Sequence, residues 1–286
     1  MRRFILITGA SSGIGESATL ELAREGYDVI AGVRTTEDAE RLRRSGTAKI
    51  HPLIMDVTDP TCMEKARMEA EELIGKDSLV SIFNNAGIVV SGAALYIPIE
   101  EWRRQFEVNV LGVIRTTQLF FPLLASRSPD GDGHPRRIIN MSSVSGLFAS
   151  PFLGPYAASK FALEAFSDSL RRELYMHDIQ VVLIDAGKIS TPIWEKARKL
   201  PGYFGPEHGP ILAFREKMID RQIATSLPVK AVNDIILKVV RTKTVKPRYL
   251  VIGKKWKFNL MRMLPTKWVD HLIHKNLRDK SGFRPF

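Results

Sequence analysis

Short apolar runs alternate with longer amphipathic stretches along most of the 286-residue chain. The apolar runs predict strands at residues 4–7, 28–32, 50–55, 79–83, 137–141, 180–184 and 249–252. The amphipathic stretches predict helices at residues 14–25, 37–44, 60–74, 100–125, 156–176 and 229–240. Strands that are apolar throughout are typical of a sheet covered by helices on both faces. The pattern therefore predicts an α/β fold, a doubly wound parallel sheet, with residues 1–286 in a single domain.

Two segments interrupt this alternation. Residues 126–137 have the composition of an exposed loop. Residues 192–226 combine several prolines and glycines with apolar side chains, which predicts a mobile apolar lid over a substrate pocket. Core packing explains the large apolar residues of this lid nearly as well as pocket lining does. The candidates for lining the pocket are Trp194, Phe204, Leu212 and Phe214.

The net charge of +11 is confined to the C-terminal part of the chain. Residues 230–286 hold 15 Lys and Arg against 3 Asp and Glu, whereas residues 1–229 carry a net charge of −1. Such asymmetry suggests an anionic partner for this end. No recognition motif or interleaved stacking aromatics accompany the charge, so nucleic acid is not an expected partner.

Residues 254–286 form a basic amphipathic tail whose apolar residues, among them Trp256 and Trp268, recur at helical spacing. Basic side chains opposite tryptophan and leucine match a helix that lies on an anionic membrane surface. A terminal helix that packs its apolar stripe on its own domain, or on a subunit partner, is an equal alternative. His271 and His274 lack neighbouring ligands, so no metal site is expected.

Cys62 is the only cysteine, which excludes an intrachain disulfide and fits a reducing compartment. The apolar run at residues 4–7 is far too short for a signal-peptide core, and no other segment approaches a membrane span. We therefore expect a cytoplasmic protein, which the tail can bring to the periphery of a membrane.

A glycine-rich turn follows the first predicted strand directly. It reads Thr8-Gly-Ala-Ser-Ser-Gly-Ile-Gly15 and leads into a predicted helix. Glycines let the backbone turn tightly and approach a pyrophosphate, while the N–H groups and the dipole at the helix start attract its charge. Strand, turn and helix together predict a dinucleotide site on a Rossmann-like sheet.

Five motifs, in this order, resemble those of the short-chain dehydrogenases/reductases in their single-domain subtype. They are the glycine turn, Asn84-Asn-Ala-Gly87 after the fourth strand, Asn109, Ser142-Ser143 after the fifth strand, and Tyr156-Ala-Ala-Ser-Lys160. The resemblance covers about residues 4 to 192. Residues 161–174 look most like the corresponding segment of hydroxysteroid and retinol dehydrogenases.

Tyr156 and Lys160 lie four residues apart and therefore on one face of a predicted helix. A phenol is a poor base at neutral pH, but a nearby ammonium favours the phenolate, so we expect Lys160 to lower the pKa of Tyr156. The resemblance implies that Tyr156 exchanges a proton with the substrate oxygen and that Ser143, rather than Ser142, orients this oxygen. It also implies that Asn109 holds a water connecting Lys160 to solvent. An asparagine inside a helix is intrinsically unfavourable, which supports a functional role for it.

The end of the second predicted strand bears on the choice of cofactor. An acidic side chain there would bind the ribose hydroxyls of NAD, and a basic one would accept the 2′-phosphate of NADP. Val33 occupies the position at which NAD-preferring relatives carry aspartate, and Arg34 follows with a planar fork suited to phosphate. NADP is therefore expected rather than NAD, unless Arg34 is a plain surface arginine.

The resemblance implies further cofactor contacts. Asp56 and Val57 resemble the pair that contacts adenine, and Thr191 with the Ile189 backbone resembles the part that holds the nicotinamide carboxamide. Residues 185–187 read Asp-Ala-Gly where relatives usually have a proline before the glycine, and the following Lys188 is expected either to touch the phosphates or to face water. The full set of expected cofactor contacts is Gly9, Ser11, Ser12, Gly13, Ile14, Gly15, Arg34, Asp56, Val57, Asn85, Ala86, Gly87, Tyr156, Lys160, Ile189 and Thr191.

Together these features predict an NADP(H)-dependent oxidoreductase that moves a hydride between nicotinamide and a carbonyl or alcohol group. The apolar lid and the resemblance favour an apolar substrate such as a steroid, a retinoid or a lipid-like alcohol. The alternative is a catalytically silent NADP(H)-sensing regulatory protein on the same fold, which retention of all four catalytic positions disfavours. Relatives pair subunits through helices equivalent to residues 100–125 and 156–176, so a homodimer or homotetramer is expected by analogy.

Overall fold

The computed structural model describes residues 2–45, 47–125, 136–193, 195 and 203–281. Its strands are β1 (Arg3–Ile7), β2 (Asp28–Val33), β3 (Ile50–Ile54), β4 (Ser78–Asn84), β5 (Arg136–Ser143), β6 (Ile179–Ala186) and β7 (Arg248–Val251). These strands form one parallel sheet in the order β3-β2-β1-β4-β5-β6-β7. The predicted doubly wound parallel sheet is therefore confirmed.

Helices cover both faces of the sheet, as the all-apolar strands predict. The α-helices within the described residues are α1 (Gly13–Arg24), α2 (Thr36–Arg43), α3 (Pro60–Ile74), α4 (Ile99–Ala125), α5 (Gly154–Glu173), α6 (Gly209–Ala224), α7 (Lys230–Arg241), α8 (Lys255–Met263) and α9 (Thr266–Ser281).

Two apolar layers, one on each face of the sheet, form the core. Because side chains alternate along a strand, Ile5 of β1 faces one layer and Leu6 the other. Ile5 lies in the layer of Leu22 from α1 and Ile236 from α7. Leu6 lies in the layer of Met63 from α3 and Phe120 from α4. Each central strand is thus buried on both sides, which fixes its position in the sheet.

β1 lies between β2 and β4, where the connections of the sheet change direction. In doubly wound sheets, ligands bind in the crevice beyond the carboxyl ends of the strands at this switch point. The glycine turn follows β1 and the Asn-Ala-Gly motif follows β4, so the topology brings both to this crevice.

The segment at residues 192–226, predicted as a mobile lid, contains a helix that the sequence analysis did not predict. α6 starts at Gly209 with Pro210 at its first turn, a position where the missing N–H of proline costs no hydrogen bond. Trp194 lies outside the described residues, and so do the side chains of Leu212 and Phe214. Most of the predicted loop at residues 126–137 also lies outside them.

α4 is long and apolar enough to cross a membrane by length and composition, contrary to the expectation that no segment approaches a span. In this fold it packs along β4 and β5, with Phe120 and Leu124 buried. α4 is therefore a core helix whose apolar character is explained by the sheet that it covers.

Candidate active site

The glycine turn joins β1 to α1. Gly9 and Gly13 have φ angles of 65° and 60°, in the left-handed region that favours glycine. A Cβ atom at Gly15 would lie 2.2 Å from the carbonyl oxygen of Gly9, so only glycine lets these two backbone segments approach so closely. The sequence thus folds the backbone tightly around the start of α1.

Thr8 and Asn85 fasten this turn to the end of β4. The side-chain amide of Asn85 donates hydrogen bonds to the carbonyls of Thr8 and Gly9, both at 3.1 Å. The Thr8 hydroxyl accepts from the backbone N–H groups of Asn85 and Ala86, both at 3.0 Å. Asn85 and Ala86 therefore fix the shape of the turn, a task that their sequence motif did not reveal.

The start of α1 offers hydrogen-bond donors to a ligand. The first N–H groups of any helix, here at Gly13, Ile14 and Gly15, have no partner within the helix. Ser12 is the N-cap residue, yet its side chain makes no capping hydrogen bond. An open helix start beside a turn without side chains fits the pyrophosphate of a dinucleotide.

Two side chains border the glycine turn. The guanidinium of Arg41 donates to the carbonyl of Ser11, which holds that part of the turn against α2. Thr191 lies on the other side, since a Cβ atom at Gly13 would come within 3.3 Å of the Thr191 Cβ. Thr191 is therefore adjacent to the turn, and its contact with the nicotinamide carboxamide stays a prediction.

The carboxyl ends of β2 and β3 fit the adenosine part of such a ligand. Val33 is buried, whereas Arg34 is exposed and, within the described residues, makes no hydrogen bond or ion pair. Asp56 is half-buried, and its Oδ1 accepts from the N–H and hydroxyl of Thr58 at 2.9 and 2.7 Å. Val57 beside it is buried. An unpaired guanidinium at the end of β2 is free to bind a phosphate group.

Ser143 and Tyr156 meet at the end of β5. Ser143 Oγ accepts from the N–H of Ser145 at 3.1 Å, and its hydroxyl is near enough to the phenol of Tyr156 to lower the pKa of that group. Ser142 instead donates its hydroxyl to the carboxylate of Glu164. The geometry thus separates the two serines and leaves Ser143 as the one beside Tyr156.

Lys160 is buried below Tyr156, but the expected lowering of the phenol pKa by this lysine is not found. Burial raises the pKa of Tyr156, and only the hydrogen bond from Ser143 opposes the rise. The ammonium of Lys160 lies 5.8 Å from the centre of the Tyr156 ring and donates to the carbonyl of Met141 at 2.8 Å. Desolvation of the phenolate outweighs an ammonium that is turned toward a backbone carbonyl.

A buried acidic pair, Glu164 and Asp185, lies next to Lys160. Burial and the neighbouring Glu164 raise the pKa of Asp185 to about 8, and Arg248 opposes this rise. The Arg248 guanidinium pairs with the Glu164 carboxylate and lies 3.3 Å from Asp185 Oδ2. Burial lowers the pKa of Lys160 to about 8, although Glu164 and Asp185 both act to raise it.

Asn109 lies in a π turn at Glu107–Leu111, inside α4. Its Oδ1 accepts from the N–H of Ile88 at 2.9 Å, and its Nδ2 donates to the Ile88 carbonyl at 3.1 Å and to Ser159 Oγ at 3.3 Å. A Cβ atom at Gly87 would lie 3.4 Å from the Asn109 Oδ1. The side chain thus fastens the segment after β4 to α5. The expected role, in which Asn109 holds a water that connects Lys160 to solvent, stays a prediction. Single π turns inside α-helices are frequent at functional sites.

The segment after β6 is held by Leu227, although it lacks the usual proline. The N–H of Ser190 donates to the Leu227 carbonyl, and the N–H of Leu227 donates to the Lys188 carbonyl, both at 2.8 Å. Ile189 between them is buried, and its backbone groups point away from Leu227. Lys188 is exposed, in agreement with the expectation that it faces water, and its ammonium donates to the Thr225 hydroxyl at 3.3 Å.

Comparison with known proteins decides the family. The sequence profile of the short chain dehydrogenases matches residues 3–201. The NADPH-dependent 3-dehydrocapnine reductase of Ornithobacterium rhinotracheale is 37% identical over 96% of this chain and 98% of its own. The bovine 17-beta-hydroxysteroid dehydrogenase type 6 is 30% identical over 96% of this chain and 88% of its own. A short-chain dehydrogenase structure from Streptomyces avermitilis superposes with a TM-score of 0.76, at 24% identity over 97% of this chain and 95% of its own.

The chain belongs to the short-chain dehydrogenase family. The resemblance of the five motifs is therefore confirmed, and the protein is an oxidoreductase of this family. The alternative of a catalytically silent regulator gains no support, because these relatives are named as a reductase and a dehydrogenase.

Sequence reasoning missed one residue that shapes the site of this short-chain dehydrogenase. Gln105 is fully buried one turn before Asn109, its Oε1 accepts from the N–H of Val90 at 2.7 Å, and its Nε2 donates to the Ile88 carbonyl at 2.9 Å. The two amides therefore hold residues 88–90 from the same helix face. A second polar amide four residues before Asn109 was the available signal.

Sequence reasoning also missed most of a cluster of aromatic rings, here called the aromatic wall, beside the turn that leads into Tyr156. Phe152, Phe204 and His208 have ring centroids 5.4 to 6.1 Å apart, and Tyr96 packs on His208 at 5.7 Å. Only Phe204 was expected here. Phe152 has a φ of 66°, a costly conformation for a residue with a side chain, in the turn that leads into Tyr156.

The pKa of Lys160 predicts how this short-chain dehydrogenase responds to pH. We expect kcat/KM for carbonyl reduction to fall as the pH rises through about 8, because the ammonium beside Tyr156 is lost there. Tyr156 keeps its proton over this range, since burial raises its pKa. Initial rates between pH 6 and 10 measure the effect.

Asp185 also has a pKa of about 8, so an Asp185→Asn variant tells the two groups apart. If Lys160 is responsible, the fall persists and moves to lower pH, because the Asp185 carboxylate raises the pKa of Lys160. Loss of the fall in Asp185→Asn would assign it to the carboxyl group instead.

Proposed function

We propose that this protein is an NADPH-dependent reductase of a carbonyl group on an apolar substrate. The observation that carries the proposal is that Ser143, which lies close to Tyr156, and the glycine turn both follow the carboxyl ends of strands in the same parallel sheet. A phenol whose pKa is raised is protonated at neutral pH, and it is therefore ready to act as an acid. The protonated phenol is the form that carbonyl reduction requires.

The chain's own residues account for binding, orientation and the proton. NADPH, when bound, supplies the hydride that reaches the carbonyl carbon. Ser143 donates a hydrogen bond to the carbonyl oxygen, and Tyr156 transfers its proton to that oxygen as the alcohol forms. The Lys160 ammonium, 5.8 Å from the ring centre, offsets part of the negative charge left on Tyr156, although less than burial disfavours that charge. Solvent then returns the proton to Tyr156.

Arg34 supports NADP over NAD. It is the exposed cation at the end of β2, and it has no partner among the described residues. No acidic side chain occupies the preceding position, where Val33 is buried. The bacterial relative named for its NADPH dependence, of matching length, supports the same choice.

An Arg34→Ala variant is expected to bind NADPH about 10- to 100-fold more weakly, because one charge-assisted hydrogen-bond pair to the 2′-phosphate is lost. NADH binding is expected to stay within about 2-fold, since NADH lacks that phosphate. Titration of each cofactor by fluorescence measures both dissociation constants.

Arg44→Ala is the matched control, because this exposed arginine pairs only with Glu40 one helical turn away. It should leave both dissociation constants unchanged. Equal weakening of NADPH and NADH in Arg34→Ala would remove the phosphate role, and an unchanged NADPH affinity would make Arg34 a plain surface residue.

The aromatic wall supports an apolar substrate. Phe152, Phe204 and Tyr96 present ring surface beside the turn that precedes Tyr156. Pockets lined by such rings gain affinity mainly from apolar contact. The names of the relatives, a hydroxysteroid dehydrogenase among them, point to the same class of substrate.

We expect NADPH consumption with apolar ketones and aldehydes, such as steroid ketones and long-chain aldehydes, and little with aldose sugars. A spectrophotometric screen at 340 nm compares kcat/KM across the two sets. A Phe204→Ala variant should lose activity on the apolar set while cofactor binding is retained. Activity restricted to sugars would refute the apolar pocket without touching the reductase assignment.

Two further features bear on the assembly and the compartment of the protein. Leu111 of α4 and Phe161 of α5 are exposed apolar side chains on the two helices that pair subunits in relatives, which supports a homodimer or homotetramer. Cys62 is a free thiol, which supports a reducing compartment such as the cytoplasm.

A further inference from the structure

The basic tail folds into two helices, α8 and α9, separated at Pro265. One face of each helix is turned inward and half-buried, including Phe258 and Met261 of α8 and Ile273 of α9. Leu264, Val269 and Leu277 are half-buried as well. Among the described residues of the tail, Trp256, Leu260, Met263, Trp268 and Leu272 are exposed.

The outward residues form one ridge on each helix. Trp256, Leu260 and Met263 recur at positions i, i+4 and i+7 of α8, with Trp256 65% and Met263 82% exposed. Trp268 and Leu272 recur at i and i+4 of α9, with Trp268 also 65% exposed. Two exposed tryptophans among aligned aliphatic side chains are typical of a surface that contacts another phase or partner.

The charge around these ridges selects the partner. Residues 254–279 carry seven Lys and Arg against Asp270 and Asp279. A second copy of this chain would place the same cationic surface opposite, which is repulsive. A bilayer with anionic lipids attracts the lysines and accepts the tryptophan rings at the level of its headgroups.

We propose that α8 and α9 dock this protein onto an anionic membrane surface, with Trp256, Leu260, Met263, Trp268 and Leu272 inserted among the headgroups. The helices lie in the plane of the membrane and do not cross it. The docking goes beyond the proposed reaction, and it can be measured without any turnover.

The two tail helices lie near elements of the active site. Arg262 of α8 is close enough to Asp185, at the end of β6, to act on its pKa. α9 packs against α6, the helix within the segment predicted as a substrate lid. A membrane at this face would therefore adjoin the lid segment, and an apolar substrate could enter from the lipid.

Flotation of the full-length protein with lipid vesicles tests the proposal. We expect binding to vesicles of phosphatidylcholine and phosphatidylglycerol at about 3:1, weak binding to pure phosphatidylcholine, and weaker binding at 0.5 M salt. A double variant, Trp256→Ser with Trp268→Ser, should bind the anionic vesicles about 30-fold more weakly or worse, because both rings leave the interface.

The matched control is Tyr175→Ser with Met176→Ser. It removes two exposed apolar side chains just before β6, at the amino-terminal end of that strand. This variant should bind vesicles like the wild type, and both variants should keep the circular dichroism spectrum and Tm of the wild type. Absence of binding, or equal binding to neutral vesicles, would overturn the proposal. Sedimentation velocity gives a further test. If only the tryptophan variant forms a smaller oligomer than the wild type, the exposed face of α8 and α9 is a contact between copies of this chain, and the proposal is overturned.

Discussion

Replacing Tyr156 with phenylalanine is expected to lower kcat for carbonyl reduction about 1,000-fold, within the range measured for loss of a positioned acid. The variant keeps the ring and its packing in α5, and it loses only the hydroxyl that lies close to Ser143. Initial rates of NADPH oxidation with a saturating apolar ketone measure the loss. The Kd for NADPH should change little, since the glycine turn and Arg34 are untouched.

Tyr175→Phe is the control for this variant, because Tyr175 is an exposed phenol just before β6, at the amino-terminal end of the strand and away from the active site. Its rate should equal that of the wild type. Retention of more than a tenth of the wild-type kcat in Tyr156→Phe would show that another group donates the proton, and the role given to Tyr156 would then be wrong. A fall in kcat at an unchanged Kd for NADPH separates loss of the chemical step from loss of cofactor binding.

Ser143 offers a second view of the same step. Ser143→Ala would leave the phenol without the hydrogen bond that lowers its pKa, so the pKa of Tyr156 should rise further. A group that holds its proton more tightly is a weaker acid, and the substrate oxygen also loses a donor. The two effects act in the same direction, which is why the pair, rather than either residue alone, is the unit of function.

Much of the fold could be predicted because its signals are local. β1, the glycine turn and α1 form one strand, turn and helix whose residues are neighbours in sequence, so Gly9, Gly13 and Gly15 could be assigned directly. The predicted helix at 60–74 matches α3 because Asp59 caps it and Pro60 starts it, both within one turn. Strand ends were placed within a few residues by runs of apolar side chains.

The parts of the site that could not be predicted depend on contacts between distant segments. The hydrogen-bond partners of Asn109, Ile88 and Ser159, come from the segment after β4 and from α5, so its neighbours in sequence could not reveal them. The direction of the pKa shift at Tyr156 follows from burial, which spacing along a helix cannot report. Glu164 and Asp185 meet only because β6 and α5 pack together.

The segment at residues 192–226 is a different case. Its composition correctly indicated a break in the alternation of strands and helices, but it did not reveal the helix that forms within it. Prolines and glycines at 192–226 do interrupt the alternation, yet α6 forms within the segment because Pro210 suits a helix start. Phe204 belongs to the aromatic wall as expected, whereas Phe152 and His208 join it from positions without a sequence signal.

Replacing Gly15 with alanine is expected to weaken NADPH binding more than about 100-fold, because an added methyl cannot be accommodated without moving backbone. The new Cβ would lie 2.2 Å from the Gly9 carbonyl oxygen and 2.5 Å from the Asn85 Nδ2. Either α1 moves away from the turn or the turn moves away from β4, and both changes displace the N–H groups that face the pyrophosphate. Fluorescence titration gives the Kd, and circular dichroism gives the fold and Tm.

Gly253→Ala is the matched control, since a Cβ atom at that position would meet nothing within 4 Å. It should leave the Kd and the Tm unchanged. In Gly15→Ala, a moderate fall in Tm with retained helical signal is expected, as overpacking costs about 1 to 3 kcal/mol. An unaltered Kd in this variant would mean that the close approach of α1 to Gly9 is not what shapes the dinucleotide site. A Kd that rises alongside an intact fold would instead tie cofactor binding to the space that Gly15 leaves open, because no other property of the side chain has changed.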